Sequence, residues 1–181
     1  CLVRQAEMSV KEWEDQRTGE GFMKWNTCFD CGQSFHGPVL LALSWAAWKM
    51  YLGLPENNGT RWGCMSLLGD ALRSNGRCAE ALPVMEAHLA LTRRGWSHEQ
   101  EYVLASQTNV STCLSAVGRH NEALAILREV YAGWVAKRGV SYHETIKCGS
   151  NIAASLARVK LYEEASTLLR DQLLPAARRS L

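Results

Sequence analysis

Three stretches of the chain superimpose when it is shifted by 42 residues: LLGDALRSNGRCAEALPVM, NVSTCLSAVGRHNEALAIL and NIAASLARVKLYEEASTLL. Glu80–Ala81 falls on Glu122–Ala123 and then on Glu164–Ala165. Leu72, Leu114 and Leu156 coincide, as do Met85, Leu127 and Leu169. Gly76 matches Gly118, and Lys160 stands at the same place in the third copy. Such a period constrains the fold more than any other feature. Each copy is one supersecondary unit that cannot bury its apolar face alone, and stacking neighbours supplies the missing cover.

Each copy reads as two helices. Apolar residues recur at helical spacing in the first, as in Leu68 and Leu72 or Val110 and Leu114. A break follows at Ser-Asn-Gly-Arg or Val-Gly-Arg, where glycine can take the left-handed conformation that ends a helix. The second helix opens on Ala81, Ala123 or Ala165, small enough for two helices to approach closely. Pro83 sits inside the second helix of the first copy, where an interior proline costs up to ~3 kcal/mol. A helix start near Ala79 and a distortion rather than a break are therefore predicted. Carried backwards, the period maps Leu82 to Leu40, Leu89 to Ala47 and Gly95 to Gly53. Gly37 to Leu52 then reads as the second helix of an incomplete earlier repeat. Its partner would fall near residues 20 to 34, where WNTCFDCGQSF stands instead.

The pattern resembles the tetratricopeptide repeat. It has the small residue of the first helix (Gly69, Ser111, Ala153), the leucine three later, and the small residue opening the second helix. The 42-residue spacing, the segments RRGWSHEQ and KRGVSYHET, and the Asn of TNVST and SNIAA are similar to the kinesin-light-chain type. The likeness covers Arg61 to Leu181. Departures are Leu67 for the Asn of the later copies, Lys160 for the break glycine, and His88 and Gln172 where a small apolar residue is usual. The resemblance implies an all-α right-handed superhelix. The expected organisation is a zinc-finger-like segment over 1–36 and a repeat domain over 37–181. The latter comprises a lone helix at 37–53 and repeats at about 58–97, 99–139 and 141–181.

Composition agrees with a folded chain: 47% of residues are hydrophobic and only four are proline. Twenty basic against eighteen acidic residues give a net charge of +2, which supplies no reason to expect a nucleic acid partner. The longest apolar run, Val39 to Leu54, contains a lysine and is short for a membrane span. The first residues lack the basic-then-apolar pattern of a signal peptide. A start at Cys1 rather than methionine reads as a fragment. Seven cysteines in a helix-patterned chain predict a reducing, cytoplasmic setting rather than a disulfide framework.

Cys28 and Cys31, in WNTCFDCGQSFHG, pose a separate question. A Cys-x-x-Cys-Gly turn supplies two of the four ligands of a tetrahedral zinc ion. A retroviral-type knuckle with His36 fails, because its fourth ligand would be residue 41, a leucine. Redox chemistry of the thioredoxin kind wants an α/β context that nothing here suggests. CLVRQAEMSV, a tryptophan-bearing spacer and Trp25-x-x-Cys28-x-x-Cys31 resemble the second half of a RING-CH-type zinc finger. That resemblance implies structural zinc, one ion held in part by Cys1 and another by Cys28 and Cys31, with the remaining ligands outside this sequence. Plain cysteines and a different zinc arrangement remain as alternatives. Cys64, Cys78, Cys113 and Cys148 read as small apolar packing residues.

No Gly-x-Ser-x-Gly, phosphate-cradling glycine loop or His-Glu-x-x-His is present, and the five histidines are scattered. Function is therefore sought on the repeats. In the family resembled, the first-helix Asn faces a concave groove and hydrogen-bonds a peptide backbone. Asn109 and Asn151 hold that position, with Arg73, Thr112, Lys147 and Arg158 beside it by alignment. An amide, both donor and acceptor, suits a peptide group, although a bridge between neighbouring helices would use the same chemistry. Two functions follow from the resemblances. One is a scaffold that binds a peptide or partner protein in the groove. The other is the substrate-selecting part of a ubiquitin ligase whose intact finger would bind a ubiquitin-charged conjugating enzyme. Of the tryptophans, Trp45 and Trp48 are expected to pack or cap the stack, and Trp96 and Trp134 to be partly exposed at helix ends.

Overall fold

The computed structural model describes residues 25–28, 31–96 and 100–179. Among them the fold is all-α. Among the described residues, eight α-helices and one π-helical segment account for the regular structure, and the only β pairing is an isolated bridge between Thr27 and Ser34. The chain divides into two compact units, Cys1–Gly95 and Trp96–Leu181.

In the first unit, α1 (Gly37–Tyr51), α2 (Gly59–Ser74) and α3 (Cys78–Gly95) pack in sequence order. Asn58 caps α2, its Oδ1 accepting from Arg61 N at 3.1 Å. Where the period predicts a first helix before α1, the chain instead turns back on itself. Phe35 N donates to Asn26 O at 2.7 Å, Cys28 N to Gln33 O at 2.8 Å and Gly32 N to Cys28 O at 2.9 Å, with Gly32 left-handed at φ 68°. This hairpin carries Trp25, fully buried, into a core with Leu43, Ala47, Tyr51, Cys64, Leu67 and Ala71. Trp25 rather than the α1 pair therefore anchors this end, and Trp45 is left 37% exposed. Pro83 lies in the second turn of α3, which runs through it; only the bond to the Ala79 carbonyl is lost. His88 is buried on the Trp62 ring, centroids 4.8 Å apart, and Trp62 Nε1 donates to Thr92 Oγ1 at 2.9 Å.

The second unit holds α4 (Gln100–Ala116), α5 (His120–Arg138), α6 (His143–Arg158), α7 (Tyr162–Thr167), a π segment (Leu168–Leu173) and α8 (Leu174–Arg179). Its core joins Leu104, Leu124, Leu127, Val130 and Trp134 to Cys148, Ile152, Ala153, Leu156 and Ala165. Trp134, expected at a partly exposed helix end, is only 3% exposed and packs against Tyr142. Its position falls on the inner face of α5, one turn beyond Val130.

The two helices of each copy are joined in the same way. Arg77 N bonds Leu72 O and Gly76 N bonds Arg73 O; Arg119 and Gly118 repeat the pair onto Leu114 and Ser115, and Leu161 and Lys160 onto Leu156 and Ala157. These are paired i−5 and i−3 closures. The donor of the shorter bond, Gly76, Gly118 or Lys160, lies in the left-handed region at φ 75°, 86° and 65° respectively. The closure satisfies the last carbonyls of the first helix and turns the chain into the second.

Candidate peptide-binding cleft

Between α4 and α6, the first helices of two successive copies, runs a cleft of about 280 Å³. Thr112, Asn151 and Arg158 line it, together with Ser111, Ser115, Ala116, Ala154 and Ser155, and Leu127 of α5 forms its floor. Three of the six predicted groove residues thus come together. Asn109 is half-buried one turn before Thr112 and outside the lining. Lys147 is exposed one turn before Asn151, its Nζ 3.3 Å from the Glu144 carboxylate. Arg73 belongs to the first unit, where its Nη2 donates to Asp70 Oδ1 at 3.1 Å. The serines and alanines of the lining are not among the predicted residues, although a signal for them exists. From Thr112 the helical steps reach 115 and 116, and from Asn151 they reach 154, 155 and 158.

The wall on α4 is rich in hydroxyls, and those of Ser111 and Thr112 already give their protons to a backbone carbonyl. Ser111 Oγ and Thr112 Oγ1 donate to Thr108 O at 2.7 and 2.9 Å, and Ser115 Oγ lies 3.3 Å from His120 Nδ1. Their oxygens remain as acceptors. Opposite, the Asn151 amide makes no side-chain hydrogen bond among the described residues, so its donor and acceptor are both available. Arg158 closes one end. Lys147 and Arg73 are neutralised by their own neighbours, whereas Arg158 has no carboxylate partner among the described residues. Sitting in the last turn of α6, its charge is also favoured by the carbonyl end of the helix dipole. The cleft is therefore walled by small hydroxyl and methyl side chains, with one amide and one positive charge. It suits an extended backbone better than a compact apolar molecule.

The buried cysteines act as the sequence reading expects. Cys64 and Cys148 are buried, and burial pushes both thiols up to about 12, so neither is a thiolate at neutral pH. Cys148 Sγ approaches Leu127 O at 3.4 Å in the core. Of the predicted zinc ligands, Cys28 is half-buried and Cys31 exposed at the ends of the hairpin turn, and Cys1 lies outside the described residues. Among the described residues no three His, Cys, Asp or Glu side chains gather where a metal ion would sit. Two cysteines alone do not fit a four-ligand zinc site. No helix among the described residues is long and apolar enough to cross a membrane.

A family model, the tetratricopeptide repeat, matches residues 63–136. No curated protein sequence matches the chain. Among solved structures, the chain is similar to a Podosopora anserina protein of nearly identical TPR-like repeats, provisionally called a kinesin light chain. Two crystal structures of it, one of a single-residue variant, superimpose with TM-scores of 0.62 and 0.63. Both are 18% identical to this chain, and each alignment covers 99% of this chain and 94% of that one. Repeated helix pairs, their shared turn geometry and these matches lead to one conclusion: residues 63–136 match the tetratricopeptide repeat, and the described helices have the α-α superhelical fold of tetratricopeptide-like repeats.

Proposed function

We propose that this chain is a protein-interaction scaffold that binds an extended peptide segment of its partner in the cleft between α4 and α6. Tetratricopeptide repeats generally mediate protein–protein interaction. The observation that carries the finer reading is the unpartnered Asn151 amide beside the uncompensated Arg158 in a cleft walled by small hydroxyl residues. Asn151 would hold a peptide group, and Arg158 a carboxylate of the ligand. A cytoplasmic setting belongs to the same proposal, supported by cysteines used as core residues at 64, 113 and 148. The test is an array of extended peptides, with and without Asp and Glu, probed with the protein and two variants. Arg158→Ala removes a charge-assisted bond and should cost about 1.5–3 kcal/mol against acidic peptides. Asn151→Ala should cost about 0.5–1.5 kcal/mol whatever the ligand's charge. Wild-type affinity in both variants rejects the cleft.

A second reading concerns the hairpin. We infer that Cys28 and Cys31 are half of a zinc site completed by ligands outside the described residues. The support is the backbone bond from Gly32 N to Cys28 O at 2.9 Å, with left-handed Gly32 directly after the second cysteine. The ubiquitin-ligase alternative rests on that finger alone. Zinc analysis of the protein tests it: metal lost on Cys28→Ser with Cys31→Ser supports the reading. A preparation without zinc, or one whose zinc survives the double substitution, rejects it.

A further inference from the structure

The 42-residue period brings Ala71, Cys113 and Ser155 to one place in the three copies, and all three are buried, at 0%, 0% and 1% exposure. The first two copies fill that place with a methyl group and a thiol. The third puts a hydroxyl there. Ser155 Oγ makes no hydrogen bond among the described residues, whereas Ser150 Oγ, on the same helix, donates back to Ile146 O at 3.0 Å. A hydroxyl buried without a partner is unfavourable, and native folds seldom keep one that nothing uses.

Ser155 is not sealed into the core. It lines the cleft between α4 and α6, as Asn151 and Arg158 do. The three stand four and three residues apart, so they form one stripe along α6. Each offers a donor that has no acceptor among the described residues. The stripe also has depth. Ala154 and Arg158 are exposed and Asn151 is half-buried, while Ser155 is almost wholly covered. A ligand backbone held by Asn151 therefore rides above Ser155, and a side chain is what reaches down to it. At this end the α4 wall presents Ala116, the repeat equivalent of Arg158, which has no polar side-chain atom to oppose an anion. The acceptor oxygens of Ser111 and Thr112 lie a turn or more earlier on α4, and Ser115 Oγ is engaged with His120 Nδ1.

Resting on the reading of the cleft as a site for an extended peptide, we infer that Ser155 is its specificity-determining residue: the Ser155 hydroxyl and the Arg158 guanidinium together bind the carboxylate of a Glu or Asp side chain that the ligand inserts between α4 and α6. The pair selects a carboxylate over its amide. Both groups donate to a carboxylate, which only accepts, whereas the NH2 of Gln or Asn would face a guanidinium that cannot accept.

The probes are the tightest acidic peptide of the array, with an amidated C-terminus, and the same peptide with its acidic residues exchanged for amides. Fluorescence anisotropy titrates both into the intact protein and into Ser155→Ala and Ser155→Cys, the residues of the first two copies, with Arg158→Ala and Asn151→Ala as references. Both Ser155 variants should bind the acidic peptide roughly tenfold more weakly and the amide peptide as wild type does. Combining Ser155→Ala with Arg158→Ala should cost less than the product of the single losses, because the two groups hold one carboxylate. Melting temperatures of the Ser155 variants should equal or exceed wild type, since no bond within the described fold is removed. Wild-type affinity of the Ser155 variants for the acidic peptide, while Arg158→Ala and Asn151→Ala lose theirs, overturns this inference and leaves the cleft standing. An array without an acidic binder, or wild-type affinity in all four variants, overturns the cleft as well. Equal losses for both peptides, or a lowered melting temperature, would make the hydroxyl a structural group and overturn the inference too.

Discussion

Lys160 bears the turn of the third copy at φ 65°, where the first two copies use glycine. The left-handed region costs a residue with a Cβ roughly 1–2 kcal/mol. Lys160→Gly is therefore expected to stabilise the protein by about 0.5–1 kcal/mol once glycine's greater unfolded-state freedom is counted. Urea denaturation measures it, and a loss of stability would show that the turn is not strained. The sequence exposes Lys160 as the odd member, because the repeat makes the glycine at its place an expectation. It is less open about the neighbours. Arg77 and Arg119 each grip a glutamate three residues on, at 2.6–2.7 Å; leucine replaces that arginine at 161, and Glu164 turns to Arg128 instead. His88 is visible in the sequence as a departure, but its burial on Trp62 is not. Burial holds its imidazole down to a pKa of about 4, against 6.5 for the ordinary side chain. Between these values the unfolded chain binds the proton and the folded one does not. Stability contributed by this site is thus complete above pH 6.5 and falls as pH drops toward 4, by at most ~3 kcal/mol. Urea midpoints at pH 7 and 4.5 should converge when His88→Val, the residue of the next copy, is introduced. An undiminished pH dependence would assign the effect to other groups.

At the scale of elements, the period is informative until it meets a change in helix type. Alignment equates Leu169 with Met85 and Leu127, both buried, and so predicts a core residue. The π segment undoes this. Leu174 N bonds Leu169 O, five residues back, so one extra residue enters the turn and Leu173 moves inward where Gln172 would have pointed. The apolar pattern of TLLRDQLLPAA fits either register, and only packing against Gly149 selects one. Leu173→Ala should accordingly cost about 2–4 kcal/mol, and Leu169→Ala within about 0.5 kcal/mol. Reversed magnitudes in a thermal or urea series would mean that the helix keeps the register of the earlier copies. The helix replaced by the hairpin at residues 26–35 shows the other limit. The period indicates where a helix should fall, and Gly32 with the flanking bridge decides that it does not.

For the whole molecule, the helix pairs, their order and their turns were legible because each copy corroborates the others. The candidate cleft was legible in part as a cluster of residues. Thr112, Asn151 and Arg158 converge because they sit at helical steps on facing first helices, but Lys147 and Arg73 spend their charge on Glu144 and Asp70, pairings that one-dimensional alignment does not show. Which surface receives a partner is thus the claim most in need of a direct look. Amide chemical-shift mapping with the tightest acidic peptide from the array provides it. Perturbations should gather on Thr112, Ser115, Asn151 and Arg158, fade toward Lys147, and leave Arg73 unmoved. A response centred on Arg73 and Asp70, or scattered with no focus between α4 and α6, would contradict the account.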